Sequence, residues 1–167
     1  MTVRVEAVTT EAHFADALEV RFAVFVHEQG VSADSERDAL DDDPRTLHAV
    51  AYDAHGRPVG AGRVLAPHTD TEHGQGTSHG AMDPANPHIG RLAVMASARG
   101  TGAGRALMKF LEAAALERHG AHGGVRVELS AQDQAMPFYQ RLGYTAYGDG
   151  YLDEGIEHHD AYKDLTA

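Results

Sequence analysis

Residues 3–8 alternate apolar and polar side chains in the two-residue period of a half-buried strand. Thr10 then offers a helix cap, with Glu11 in the positive first turn, and Phe14, Leu18, Phe22 and Phe25 recur at helical spacing. A polar, acidic stretch follows, SADSERDALDDDPR (32–45). Two short strands are predicted next, Leu47–Tyr52 and 59–66, joined as a hairpin through DAHGRP. Residues 67–88 have no apolar period and are rich in Gly, His, Pro and Thr, which reads as a mobile surface loop. A strand is expected over 89–95. Leu107, Phe110, Leu111, Ala114 and Ala115 give the stripe of an amphipathic helix, with Arg118 and His119 in its last turn and Gly120 as its stop. A strand over 125–129, a short helix over 133–142 ended by Gly143, and a strand pair over 144–153 and 158–165 complete the chain. The order β-α-β-β-β-α-β-α-β-β predicts a mixed sheet of the α/β or α+β class.

The length of 167 residues suits one domain, 1–167. No run approaches the ~18 apolar residues of a membrane helix, and the first residues lack an apolar signal core, so the chain reads as mature and cytoplasmic, with no membrane partner. The absence of cysteine excludes disulfides, zinc–thiolate sites and a cysteine nucleophile. A formal net charge of -11 argues against nucleic acid as a partner and favours cationic small molecules or basic peptides.

The chemistry concentrates where the 89–95 strand meets the long helix, in Arg99-Gly100-Thr101-Gly102-Ala103-Gly104. A helix start leaves backbone N–H groups unpaired at a partly positive end, and glycines there let an anion approach the backbone. A P-loop is excluded, because Arg105 and Ala106 stand where Lys and Ser or Thr are needed. A dinucleotide fingerprint is excluded, because its third glycine falls on Arg105. Taken alone, the glycines also suit a tight turn with no ligand.

The pattern Arg-x-x-Gly-x-Gly between an apolar strand and a helix resembles the acyl-CoA signature of the GNAT N-acetyltransferases. RVELSAQDQAMPFYQRLGYTAYG (126–148) resembles the second half of that family's core. RFAVFVHEQGV (21–31), LHAVAYD (47–53) and DEGIEHHD (153–160) resemble the ElaA-like branch, which pairs an early V-F-x-x-E-Q with a late E-x-G-I-x-H. The stretch after His158 departs from that pattern. The resemblance runs from about Arg21 to Asp160. It implies the GNAT fold: a twisted, mostly antiparallel mixed sheet of six to seven strands, with splayed central strands and about four flanking helices.

It also implies acetyl transfer from acetyl-CoA, as cosubstrate, to an amine of a small molecule or peptide, by direct attack in a ternary complex. A homodimer is a further expectation. By resemblance, Leu92, Ala93 and Val94 lie beside the thioester and pantetheine arm, while Arg99, Gly100, Thr101, Gly102, Ala103, Gly104 and Arg105 take the pyrophosphate. Arg99 and Arg105 also suit a plain role as solvated helix-start residues. Gln132 falls where the family places an amide touching the coenzyme, beside Phe138. Tyr139 matches the family's general acid near the sulfur, and also suits a core aromatic.

The general base has several candidates: Glu28, His88, Glu128, Glu154 and His158, with Glu28 first for acceptor binding and His158 in the tail motif. The family's carboxylate on the strand before the glycines is missing in HIGRLAV. No metal is expected, since adjacent His158 and His159 on a strand point to opposite faces; His68, His73, His79 and His88 are discounted likewise. The acidic residues 34–43 suit either a loop attracting a cationic acceptor or a solvated turn. A non-catalytic acyl-CoA sensor is the alternative function.

Overall fold

The computed structural model describes residues 2–67 and 82–167. Most of the expected 67–88 loop, with His68, His73 and His79, lies outside the described residues. Among the described residues, seven strands are hydrogen-bonded in the order β1-β2-β3-β4-β5-β7-β6. The chain divides into two compact units, Met1–Leu65 with Gly90–Ala114, and Ala66–Ile89 with Ala115–Ala167.

In the first unit, β1 (Arg4–Ala7), β2 (Leu47–Tyr52) and β3 (Pro58–Leu65) form an antiparallel meander, with Glu6 opposite Val50 and Ala49 opposite Gly62. β2 and β3 are buried almost throughout, which suits their runs of small and β-branched residues. α1 (Glu11–Arg21) starts where Thr10 accepts a hydrogen bond from the His13 amide at 3.1 Å, and continues through a π-helical turn, Phe22–Glu28. Its deepest residues are Ala17, Val20 and Val24, packed with Val50, Tyr52, Ala61 and Ala93, and with Phe25 at the margin. The predicted apolar positions Phe14, Leu18 and Phe22 are half-buried flanks of that face. Small residues on the inner face let the helix sit close to the sheet.

The same logic explains the glycines of β3. A Cβ on Gly60 would stand 2.7 Å from Leu107 Cδ1, and one on Gly62 would stand 2.7 Å from Leu111 Cδ1. Both leucines belong to α3 (Ala103–His119), the long helix expected from its apolar stripe, and both are fully buried. Two elements escape a periodicity reading: α2 (Ala33–Glu36) and a 3₁₀ turn, Ala39–Asp42, both inside the acidic stretch. Asp38 caps the turn and exchanges hydrogen bonds with Asp41 in a capping box.

In the second unit, β5 (Gly124–Gln132) pairs antiparallel with β7 (Ile156–Thr166), which pairs with β6 (Thr145–Asp153). β4 (His88–Val94) begins in this unit, and its parallel register with β5 is His88 opposite Glu128. Val127, Leu129 and Ala131 are buried, so the alternate β5 residues Arg126, Glu128, Ser130 and Gln132 share the other face. A 3₁₀ turn, Asp133–Ala135, leads into α4 (Met136–Arg141), and Gly143 closes it at φ 99°. Gly120 ends α3 as predicted; a Cβ there would stand 2.3 Å from the Leu116 carbonyl oxygen.

Candidate active site

In the first unit, β4 runs out at Val94, and a 3₁₀ turn, Ala96–Ala98, leads to the glycines. Gly100 and Gly102 sit at φ 78° and 89°, a left-handed conformation that an L side chain adopts only under strain, and both face open space. Gly104 does not require it and lies in the first turn of α3. The Ala106 amide is the first to bond back, to the Gly102 carbonyl at 3.0 Å. Helix geometry therefore leaves the N–H groups of Gly102, Ala103, Gly104 and Arg105 without intrahelical acceptors. A strand–glycine–helix junction of this kind, with free donors at a partly positive helix end, has the geometry to cradle an anion. Thr101 closes the turn by donating its hydroxyl to the Ala98 carbonyl.

Arg99 donates Nε to the Val94 carbonyl at 3.1 Å and pairs through Nη2 with Glu28 at 2.7 Å. The sequence assigned these two residues separate tasks, pyrophosphate and acceptor; the fold brings them together in one half-exposed ion pair. Arg105 is exposed on the first turn of α3. Of the expected pantetheine residues, Ala93 is in the core, while Leu92 and Val94 are half-buried.

The acidic stretch is neither a solvated turn nor a free negative patch. Glu36 and Asp41 are buried, and with Asp38 they meet three arginines from three other elements. Arg21 donates to Glu36 and Asp41, each at 2.8 Å. Arg63 donates to Asp38 and Asp41, each at 2.7 Å. Arg91 donates to Asp38 at 3.3 Å. Three charges of each sign cancel within the cluster. Burial disfavours the charged form of Asp41, yet Arg21 and Arg63 hold its carboxyl well below the usual range. Asp38 is lowered in the same way, against its burial, chiefly by Arg63. Glu36 is raised, because burial outweighs Arg91 and Arg21. His48, whose Nε2 donates to the Asp41 carbonyl at 3.1 Å, is lowered by burial despite Asp41. A sequence signal existed for this cluster. Arg63 and Arg91 interrupt apolar runs, and a buried arginine requires an acid.

In the second unit, Gln132 ends β5 opposite His158. Tyr139 lies on α4 in edge contact with Phe138 (ring centroids 5.1 Å apart) and Tyr144 (6.0 Å). Its hydroxyl makes no hydrogen bond among the described residues, and burial pushes its pKa up. His158 is buried, stacks on Tyr151, and uses Nδ1 to donate to the Ile156 carbonyl at 2.7 Å. In the neutral ring this leaves the proton on Nδ1 and a lone pair on Nε2. Glu154 stands at φ 52° in the exposed β6–β7 turn. His88 Nε2 bonds the Asp83 carbonyl at 3.1 Å.

The polar faces of β5, β6 and β7 hold a row around Glu128, one of the base candidates, whose partners sequence reading did not foresee. Glu128 is buried and accepts from the Asp83 amide (2.8 Å), Asn86 Nδ2 (3.0 Å) and the Tyr147 hydroxyl. Tyr151 donates to Asp160 at 2.6 Å and also meets Ser130. Asp83, Asn86, Arg126, Glu128, Tyr147 and Tyr162 line a cavity of about 330 Å³. The signal was the two-residue alternation of polar groups along 126–132.

The seven-stranded mixed sheet with its flanking helices is the fold of solved acyl-CoA N-acyltransferases. Residues 9–165 match the model of the acetyltransferase (GNAT) domain, and the chain belongs to that family. It is 37% identical over 155 residues to the uncharacterized N-acetyltransferase YjcF of Bacillus subtilis (strain 168), covering 92% of this chain and 94% of that one. An acyl-CoA N-acyltransferase from Pseudomonas aeruginosa superposes with a TM-score of 0.76 at 26% identity, covering 97% of this chain and 99% of that one. Escherichia coli ElaA shares the fold, with a TM-score of 0.77 at 22% identity and coverage of 97% and 99%. Among the described residues, no helix is long and apolar enough to cross a membrane.

Proposed function

We propose that the protein is an acetyl-CoA-dependent N-acetyltransferase acting on a primary amine by direct attack in a ternary complex. The observation that carries this reading is the cradle: two left-handed glycines before a helix start whose N–H groups have no internal acceptor. Arg99 to Arg105 hold the coenzyme pyrophosphate, with Arg99 and Arg105 adding charge. Backbone groups of Leu92, Ala93 and Val94 pair with the pantetheine amides and polarise the thioester carbonyl. Gln132 and Phe138 contact the coenzyme. Tyr139 donates its proton to the leaving thiolate. Its raised pKa keeps it protonated throughout the neutral range.

His158 receives the proton of the attacking ammonium through Nε2. It is favoured over Glu28, whose oxygens already face the Arg99 guanidinium. The cavity beside Glu128 supports a cationic acceptor. Two carboxylates and two tyrosine rings line it, and its one arginine is neutralised by Asp164 at 2.7 Å.

Calorimetric titration with acetyl-CoA, with ATP as control, followed by thiol release against polyamines, amino sugars and lysine peptides, tests the proposal. Selective binding with amine-dependent thiol release is expected. Selective binding without release across the panel would favour an acyl-CoA sensor, and no binding would overturn the reading of the cradle.

A further inference from the structure

Arg91 stands at φ 50° in the middle of β4, a left-handed backbone that is an outlier for a long side chain in a strand. Such a conformation persists only where its surroundings over-determine it. Here the guanidinium supplies the constraint. Nε donates to the Glu36 carbonyl at 3.2 Å, and Nη2 donates to Asp38 at 3.3 Å and to the Ser35 carbonyl at 3.5 Å. The turn that receives it is itself braced. Arg21 Nη2 donates to the same Glu36 carbonyl at 2.8 Å, and Arg63 holds Asp38 through both Nη groups. Asp38 is thus shared between an arginine fixed in β3 and the arginine of β4. A left-handed residue within a strand disrupts the ladder locally and bends the strand, and the groups that follow Arg91 are those of Leu92, Ala93 and Val94.

We propose that Arg91 is a positioning residue: clamped by the Ser35–Asp38 turn, it sets the backbone orientation of Leu92–Val94, so that Asp38 governs acetyl-CoA affinity without touching the coenzyme. The part concerning acetyl-CoA rests on the function proposed above. A glycine at position 91 would adopt the same φ more easily but would hold nothing; the arginine makes the conformation conditional on the turn.

The test compares Arg91→Ala, Asp38→Asn and the double variant, with Arg91→Lys in reserve should the alanine variant not fold. Two readouts are used. The first is amide hydrogen exchange of Leu92, Ala93 and Val94 in the free protein, referenced to the Val50 amide of β2, which reports global opening. Each single variant is expected to speed exchange at 92–94 about tenfold relative to Val50, with the double variant no faster than Arg91→Ala. The lysine variant, whose single ammonium does not reproduce the fork, is expected to exchange faster than wild type. The second is the acetyl-CoA dissociation constant, expected to rise about tenfold in both single variants while Val50→Ala leaves it unchanged. Exchange at 92–94 within twofold of wild type, or effects of Arg91→Ala and Asp38→Asn that multiply, would overturn the clamp. If the wild type does not bind acetyl-CoA, the functional reading falls, and the exchange data still decide the clamp.

Discussion

Replacing Asp41 with asparagine should remove a large part of the protein's stability. The side chain has no solvent exposure and collects four donors: Arg21 Nη1 at 2.8 Å and Nη2 at 3.0 Å, Arg63 Nη1 at 2.7 Å, and the Asp38 amide at 3.1 Å. Asparagine keeps the shape but leaves three arginines facing two carboxylates, and its amide nitrogen confronts guanidinium donors. Breaking a buried ion pair from one side typically costs about 3–5 kcal/mol. With an unfolding entropy of roughly 0.35 kcal/mol/K for a chain of this length, Tm should fall by roughly 9–14 °C. The pH dependence follows with its sign. Asp41 and Asp38 are depressed in the folded state, so their contribution is present above their ordinary pKa near 3.8 and is lost as pH falls below it. His48 is also depressed, so its contribution is present above 6.5 and starts to be lost as pH falls through that value. Glu36 is raised and has the opposite sense, losing stability as pH rises through its folded pKa. Urea or thermal unfolding from pH 3 to 8 on both proteins measures these effects. Asp41→Asn should flatten the acid limb below pH 4 as well as lower the plateau. A Tm shift of 2 °C or less at pH 7 would refute the account of a buried, interdependent cluster.

Tyr139→Phe should lower acetyl transfer about 10²-fold, while calorimetry finds the acetyl-CoA dissociation constant within about twofold of wild type; equal losses in both would mean the ring only packs. Gly102→Glu puts a strained φ, bulk and a negative charge at the cradle and should abolish acetyl-CoA binding, with circular dichroism confirming the fold. Gly62→Ala should destabilise by about 1–3 kcal/mol in urea unfolding, because the new Cβ would meet Leu111 Cδ1 at 2.7 Å and Leu92 Cδ1 at 3.2 Å.

Local rules carried the reading of this chain far, and their reach has a physical limit. The Thr10 cap, the α3 stripe, Gly120, Gly143 and Leu47–Tyr52 each depend on neighbours a few residues away, and each is where periodicity and capping put it. The glycine junction is local too, which is why its left-handed turn and helix start were readable from six residues. Pairing across 15 to 71 residues was not readable. Nothing within a window of the acidic stretch announces Arg21, Arg63 or Arg91, so 34–43 suited a solvated turn or an acceptor loop although Glu36 and Asp41 are held inside. Glu28 looked available to an acceptor until Arg99, 71 residues away, arrived beside it. Both pairings were hidden for the same reason. A charge in an apolar run is a demand for a partner, and a cluster of acids is a supply, but sequence spacing does not say which meets which. Matching the two before folding narrows the choice: three arginines on or beside the apolar elements, three acids in one short turn, and no net charge left over. That balance makes Glu36, Asp38 and Asp41 part of the structural frame around β4, their charge answered by Arg21, Arg63 and Arg91.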